Sequence, residues 1–243
     1  MTKALVVENL YFMYEKNFVL EDINLTLEDK EFLTIIGPNG GGKTTFLKLI
    51  LGLLKPFKGK ILIYNKSPSK ASNFIGYVPQ HTNFSLDIPI TVFDIVLEGR
   101  LKAFKFFYSK EDKERTMQTL KKIKIEHLKD KRIKELSGGE RQKVLIARAL
   151  NCNPKIIIMD EPTSAIDPNG QKEILDLIES LDITRVVVSH DLKILLRKVD
   201  KIAYINKKLI LHEGPKLNIP KDEHFCEVEL IDFLREVNVG VSE

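Results

Sequence analysis

An apolar run, a cluster of glycines and a Gly-Lys-Thr triplet meet in IIGPNGGGKTT, Ile35 to Thr45. No other stretch restricts the fold as much. Glycine weakens regular structure, so Gly37, Gly40, Gly41 and Gly42 in such close succession need a physical reason. The preceding run, Phe32 to Ile36, is short and apolar but for Thr34, which suits a strand buried on both faces of a parallel sheet. The spacing that follows predicts a helix from about Lys43 to Leu54, stopped by Pro56. Gly37 to Thr44 then matches G-x-x-x-x-G-K-[ST] with a strand before it and a helix after it. Such a loop, with Pro38 and Asn39 inside it, wraps its backbone around a phosphate and turns successive N–H groups inward. The helix start brings its positive end to the same anion. Lys43 is then placed to reach the β- and γ-phosphates, and the Thr44 hydroxyl to ligate Mg²⁺. Thr45 can donate to the α-phosphate. A purely structural turn accounts for loose glycine clusters, but not for Gly42-Lys43-Thr44 at the head of a helix.

The remaining pattern supplies a sheet for that turn. Leu5 to Tyr14 and Phe18 to Leu27 alternate loosely and read as antiparallel strands, with Asp29 and Lys30 as a turn. Ile61 to Tyr64, Ile156 to Met159, Arg185 to Val188 and Ile202 to Asn206 read as further strands, the last pairing with Leu209 to His212. Gln171 to Leu181 and Leu192 to Lys198 read as helices. In IIIMDEPTSAID, Asp160 and Glu161 close a buried strand at its carboxyl end, the edge where open α/β sheets bind ligands. Asp160 is a candidate Mg²⁺ holder, and Glu161 a candidate base for an attacking water. Two solvated acids ending a strand are common, so the pair gains force only beside the glycine turn. His190, in VVVSHD, reaches the same edge, where its ring could contact a γ-phosphate. Gln80, in GYVPQ, could complete the Mg²⁺ shell or position water.

A second phosphate-seeking surface is predicted at LSGGERQ. Ser137 and Glu140 fit a capping box before a helix from Arg141 to Leu150. Gly138 and Gly139 leave the helix start bare, at about 1 kcal/mol each relative to alanine. One γ-phosphate has room for both surfaces only if they face each other.

From about Phe84 to Glu135 the chain is lysine-rich with helical spacing, which predicts a helical subdomain of about residues 84–138 inserted in the α/β core. Within it, LKAFKFFYSK (Leu101 to Lys110) mixes aromatics with lysines. That mixture suits a groove for a partner helix or a subdomain core with wet lysine stems better than nucleic acid. With 43% hydrophobic and 30% charged residues and a net charge of +4, the chain has the composition of an ordinary globular protein. Cys152 and Cys226 stand far apart without CxxC spacing, which points to a reducing compartment. The first residues read as no signal peptide, and no apolar stretch reaches the ~18 residues of a membrane span. In the tail expected over 221–243, Leu230, Phe233, Leu234 and Val237 fall on one helical face. His224 and Cys226 are the only tempting ligand pair there, and two ligands make no zinc site.

GPNGGGKTT, YVPQ, LSGGERQ, IIIMDEP, SAID and VVSHD occur in this order. Together they resemble the nucleotide-binding subunit of an ABC (ATP-binding cassette) transporter over about residues 4 to 215. The resemblance implies an α/β P-loop NTPase fold, a RecA-like mostly parallel sheet core with an antiparallel β subdomain and the inserted helical one. It implies an ATPase domain over about 1–220. It also implies that Ser137, Gly138 and Gly139 of one copy cover the nucleotide held by a twin, in a two-fold homodimer closed on two ATPs. Tyr14, in YFMYE, matches the aromatic that stacks on adenine, where the other reading is a core aromatic; Asp167, in SAID, matches the acid coupling the two sites. Thr44 stands where the family more often has Ser, and Ile166 where it more often has Leu. With Glu161 intact, hydrolysis is expected. One cassette without a membrane span resembles the stand-alone ATPase of a bacterial importer. The stretches after Gln80, Glu161 and His190 look most like importers of zinc-, manganese- or iron-type metal cations. The implied partners are a membrane permease and, indirectly, an extracytoplasmic binding protein. The implied place is the inner face of the cell membrane, with no nucleic acid bound. The alternatives are a soluble ABC ATPase acting on nucleic acid or ribosomes, and an exporter cassette.

Overall fold

The computed structural model describes residues 2–80, 89–101, 107–164, 166–190, 194 and 197–213. Along the chain run β1 (Lys3–Tyr14), β2 (Asn17–Glu28), β3 (Phe32–Ile36), α1 (Lys43–Ile50), β4 (Lys58–Ile63), α2 (Pro68–Ala71) and β5 (Ile75–Val78). There follow α3 (Val92–Glu98), α4 (Lys110–Lys122), α5 (Gly138–Asn151), β6 (Ile156–Asp160), α6 (Pro168–Ser180), β7 (Thr184–Val188), β8 (Lys201–Asn206) and β9 (Lys208–Glu213). Two compact units result, Met1–Ala71 with Val186–Glu243, and Ser72–Arg185.

In the first unit β1 lies between β2 and β4, antiparallel to both. All five residues of β3 are buried, Thr34 included, as its largely apolar run predicts. β3 pairs in parallel with β8 (Ile36 opposite Tyr204), and β8 pairs antiparallel with β9 (Tyr204 opposite Ile210). The carboxyl end of β7 runs beside β3, since Ser189 N donates to Ile35 O at 3.1 Å. The helix α1 is shorter than its spacing predicts. It stops at Ile50, not Leu54, and Pro56 is not what ends it. Gly52 takes φ +74°, and Leu53 N and Leu54 N both donate back to Lys48 O, so the last carbonyls are met by a left-handed turn.

In the second unit β5 and β6 are parallel neighbours (Val78 opposite Met159). The helix α6 starts at Pro168, earlier than the expected Gln171, because Asp167 caps it and proline suits the first turn. The helices α3 and α4 each open on a capping box, Thr91 with Asp94 and Ser109 with Asp112. They enclose a core that includes Ile95, Val96, Leu120, Leu128 and Ile133. The described part of the expected helical insertion shares this unit with β5, β6, α5 and α6. Residues 81–88, 102–106 and 214–243 lie outside the described residues. So do most of the helix predicted over 192–198, half of the aromatic-lysine stretch, and the tail.

A buried polar knot ties α3, α4 and α5. Asn151, 3% exposed, donates through Nδ2 to Val96 O (2.8 Å) and Thr116 Oγ1 (2.9 Å) and accepts from Thr119 Oγ1 (3.0 Å). Its carbonyl accepts from Arg100, whose Nε also donates to the buried Asp112. Asn151→Ala removes three bonds from the knot, although Val96 O keeps Gly99 N, Thr116 Oγ1 keeps Asp112 O and Thr119 Oγ1 keeps Arg115 O. It is expected to cost about 2 kcal/mol in urea unfolding, since each such bond contributes about 0.5–1.5 kcal/mol net. A loss below about 0.5 kcal/mol would show that the knot is not a stabilising one.

Candidate active site

The first unit holds the glycine loop. Gly37 is buried at φ +143°, and a Cβ there would lie 2.1 Å from Ile205 O on β8. Gly42 takes φ +105°, and a Cβ there would lie 2.8 Å from the Leu20 side chain on β2. No other residue type fits these two positions without moving backbone or core. The loop is held from below, because Lys207 N donates to Gly41 O at 3.0 Å while Gly41 N donates to Pro38 O at 3.0 Å. Asn39 and Gly40 are exposed at its tip.

Lys43 is 8% exposed, and its ammonium donates to Gly37 O (2.5 Å) and Pro38 O (2.9 Å). The lysine is therefore drawn across the loop mouth and fixed there by two carbonyls. Gly42 offers α1 no side-chain cap and the first turn has no acid, whereas α3, α4, α5 and α6 are capped by Thr91, Ser109, Ser137 and Asp167. A helix start with unmet donors beside a fixed cation suits an anion. Thr44 is exposed and Thr45 half-buried in that first turn, and His190 is exposed just past the β7 end beside β3. Tyr14 is 46% exposed and meets Phe12 edge to face at 4.9 Å. Phe12 is 7% exposed and takes the core place, so the core reading does not hold for Tyr14.

The second unit holds the acids. Parallel pairing of β5 with β6 brings Gln80, Asp160 and Glu161 out at one sheet edge. Gln80 is exposed, while Asp160 and Glu161 are 6% and 8% exposed. Glu161 takes φ +50°, unusual for a residue with a Cβ, and its carbonyl accepts from both Ser164 N (3.1 Å) and Ser164 Oγ (2.9 Å). Backbone held in this region clusters at functional sites. No sequence pattern marks Tyr77. Opposite Ile158, it shares a sheet face with Asp160, and burial first, then the Asp160 carboxylate, push its phenol pKa up.

At α5 the capping box forms as expected. Glu140 N donates to Ser137 Oγ (3.2 Å), and Ser137 N donates to the Glu140 carboxylate (2.8 Å). The bond from Ser137 N holds the Glu140 pKa down, and its partial burial opposes that. The helix start is thus less bare than the sequence implied, with the Glu140 N–H already taken. A Cβ on Gly139 would meet Gly170 Cα at 3.6 Å and Ile166 Cγ2 at 3.7 Å, ordinary contact distances. The isolated chain therefore gives no steric reason for glycine at 139. The contact does bring the Ser137–Gly139 tip beside the start of α6, where the exposed Asp167 accepts from Gly170 N at 3.2 Å.

The ABC transporter family profile matches residues 20–164. A zinc import ATP-binding protein, ZnuC, of Wigglesworthia glossinidia brevipalpis is 37% identical, over 86% of this chain and 86% of its own. A zinc uptake system ATP-binding protein, ZurA, of Listeria innocua serovar 6a is 36% identical, over 86% of this chain and 85% of its own. Among solved structures, a dimeric ATP-binding cassette in a post-hydrolysis state, bound to ADP and Pi, is 30% identical with a TM-score of 0.72. That match covers 86% of this chain and 98% of that one. The fold is accordingly that of an α/β P-loop NTPase, as the glycine turn predicts. The chain belongs to the ABC transporter family, as one of its ATP-hydrolysing cassettes.

Proposed function

We propose that this cassette hydrolyses ATP with Mg²⁺ to drive import of a metal cation, of zinc, manganese or iron type, through a separate membrane permease. The observation that carries the nucleotide half is the uncapped start of α1 beside the fixed Lys43 ammonium. The metal half rests on the zinc-import relatives. In this reading the loop amides of Gly37 to Gly42 and Lys43 hold the phosphates, Thr45 adds a donor, and Tyr14 stacks on the base. Thr44, Asp160 and Gln80 would hold Mg²⁺, which offsets phosphate charge when bound. The residues suit it, since the hydroxyl is exposed in the first helical turn and the carboxylate lies at the sheet edge. Glu161 takes a proton from the attacking water, and His190 donates toward the γ-phosphate. The Ser137–Gly139 tip, exposed at Ser137 and Gly138, covers the nucleotide of a second copy, with Asp167 beside it. The protein works at the inner face of the membrane, against a permease fed by an extracytoplasmic binding protein.

The dimer is tested by gel filtration. The Glu161→Gln protein with ATP should elute as a dimer. Adding Ser137→Trp and Gly138→Trp should abolish that shift while leaving ATP affinity of the single chain within about twofold, since the tip acts in trans. A shift that survives would remove the tip from the interface. The cargo is tested by deletion of the gene, which should slow growth in metal-depleted medium and be rescued by added zinc or manganese. Steeply salt-dependent RNA binding with normal growth would favour the soluble alternative instead.

A further inference from the structure

The first unit carries an aromatic surface that the nucleotide chemistry leaves unused. Tyr11 and Phe18 meet edge to face with ring centroids 6.3 Å apart, and Phe18 meets Phe57 at 6.1 Å. The Lys58 ammonium lies 5.3 Å over the Tyr11 ring. Backbone pairing fixes this row. Tyr11 lies opposite Lys58 across β1 and β4, and Phe57 N donates to Tyr11 O at 2.9 Å. Phe57 is 64% and Phe18 38% exposed, while Phe12, adjacent to Tyr11 in β1, faces the core. The rings therefore stand on the outward side of the antiparallel sheet. Contiguous exposed apolar surface rimmed by polar groups marks an interaction site. The rim is basic, since KPFKGK (Lys55 to Lys60) has three lysines and no acid. Lys60 is paired with Glu8 at 2.8 Å. Lys55 and Lys58 have no carboxylate within ion-pair distance among the described residues.

The chain itself contains a segment of complementary chemistry. Residues 221–243 hold seven Asp and Glu against Lys221 and Arg235, a net −5. Since the whole chain is +4, its other residues carry +9. Leu230, Phe233, Leu234 and Val237 recur at i, i+3, i+4 and i+7, one apolar helical stripe between the acids. Reach is sufficient. Glu213 is opposite Lys201, whose ammonium donates to Thr26 O at 2.9 Å. Thr26 pairs with Val6, five residues from Tyr11 on β1, or about 17 Å along the strand. The eight residues 214–221 that precede the segment can span at most about 27 Å when extended. We propose that residues 222–237 dock as an acidic amphipathic helix on the Tyr11–Phe18–Phe57 face of their own chain, apolar stripe on the rings and carboxylates toward Lys55 and Lys58. The tether holds the segment near the face at a millimolar-scale effective concentration, so modest contacts suffice.

The chain has no tryptophan, so Phe57→Trp in the full chain gives a single reporter. Its emission should be blue-shifted and unchanged by roughly 100-fold dilution, as an intramolecular contact requires. It should move to the red when Leu230, Phe233 and Leu234 are replaced by Ser. Red emission in both proteins overturns the proposal. A blue shift that fades on dilution also overturns it and puts a second copy on the face. With the native rings kept, Lys55→Glu with Lys58→Glu should speed tryptic cleavage after Arg235 roughly tenfold, as loss of docking protection predicts. Equal rates would contradict the charge pairing.

Discussion

Glu161→Gln should bind ATP as the native chain does and lose about 10²-fold or more of turnover. The substitution is nearly isosteric, so it isolates proton acceptance from shape. Glu161 sits 8% exposed at the carboxyl end of β6, with φ at +50° and its carbonyl gripped twice by Ser164. Those bonds act on the main chain and survive the change of side chain. What is lost is a carboxylate able to take a proton, and positioned general bases contribute typically 10²–10⁴-fold. Phosphate release under saturating ATP, read beside equilibrium nucleotide binding, separates the two effects. Near-native turnover would remove Glu161 from the role.

Lys43→Ala should weaken ATP binding by at least about 100-fold, because charge-assisted bonds to phosphate are the strong ones. The ammonium donates to Gly37 O and Pro38 O, which place it at the loop mouth where the phosphate binds in this reading. Removing it leaves two carbonyls with one donor fewer at the loop mouth, and about 1–2 kcal/mol of stability should go with it. Titration calorimetry gives the first quantity and urea unfolding the second. Unchanged affinity would mean that the loop amides and the α1 start hold the anion alone.

Much of this arrangement is legible in the residues, for physical reasons. Four apolar residues in a run of five that ends at a glycine turn suit a strand with no wet face, and β3 is one. S-x-x-E spells its own hydrogen bonds, and Ser137 with Glu140 makes both. Other features are written only in three dimensions. The helix α1 ends before its periodicity does because Gly52 stops it through a left-handed turn, and periodicity carries no dihedral angles. Tyr77 lies 83 residues from Asp160 and meets its field only through the β5–β6 register. The support under the glycine loop comes from Ile205 and Lys207 main-chain groups, which no side-chain pattern announces.

That support has an uneven consequence for how the protein can drift over time. The group pressed against Gly37 is a peptide oxygen, which every amino acid supplies alike. Position 205 is therefore free to exchange among strand-forming residues that fill the same interior space, with no effect on the fit above it. Position 37 can exchange with nothing. A survey of variants that still grow would find one partner of this contact invariant and the other varied, so that inheritance patterns alone would never reveal that the two touch.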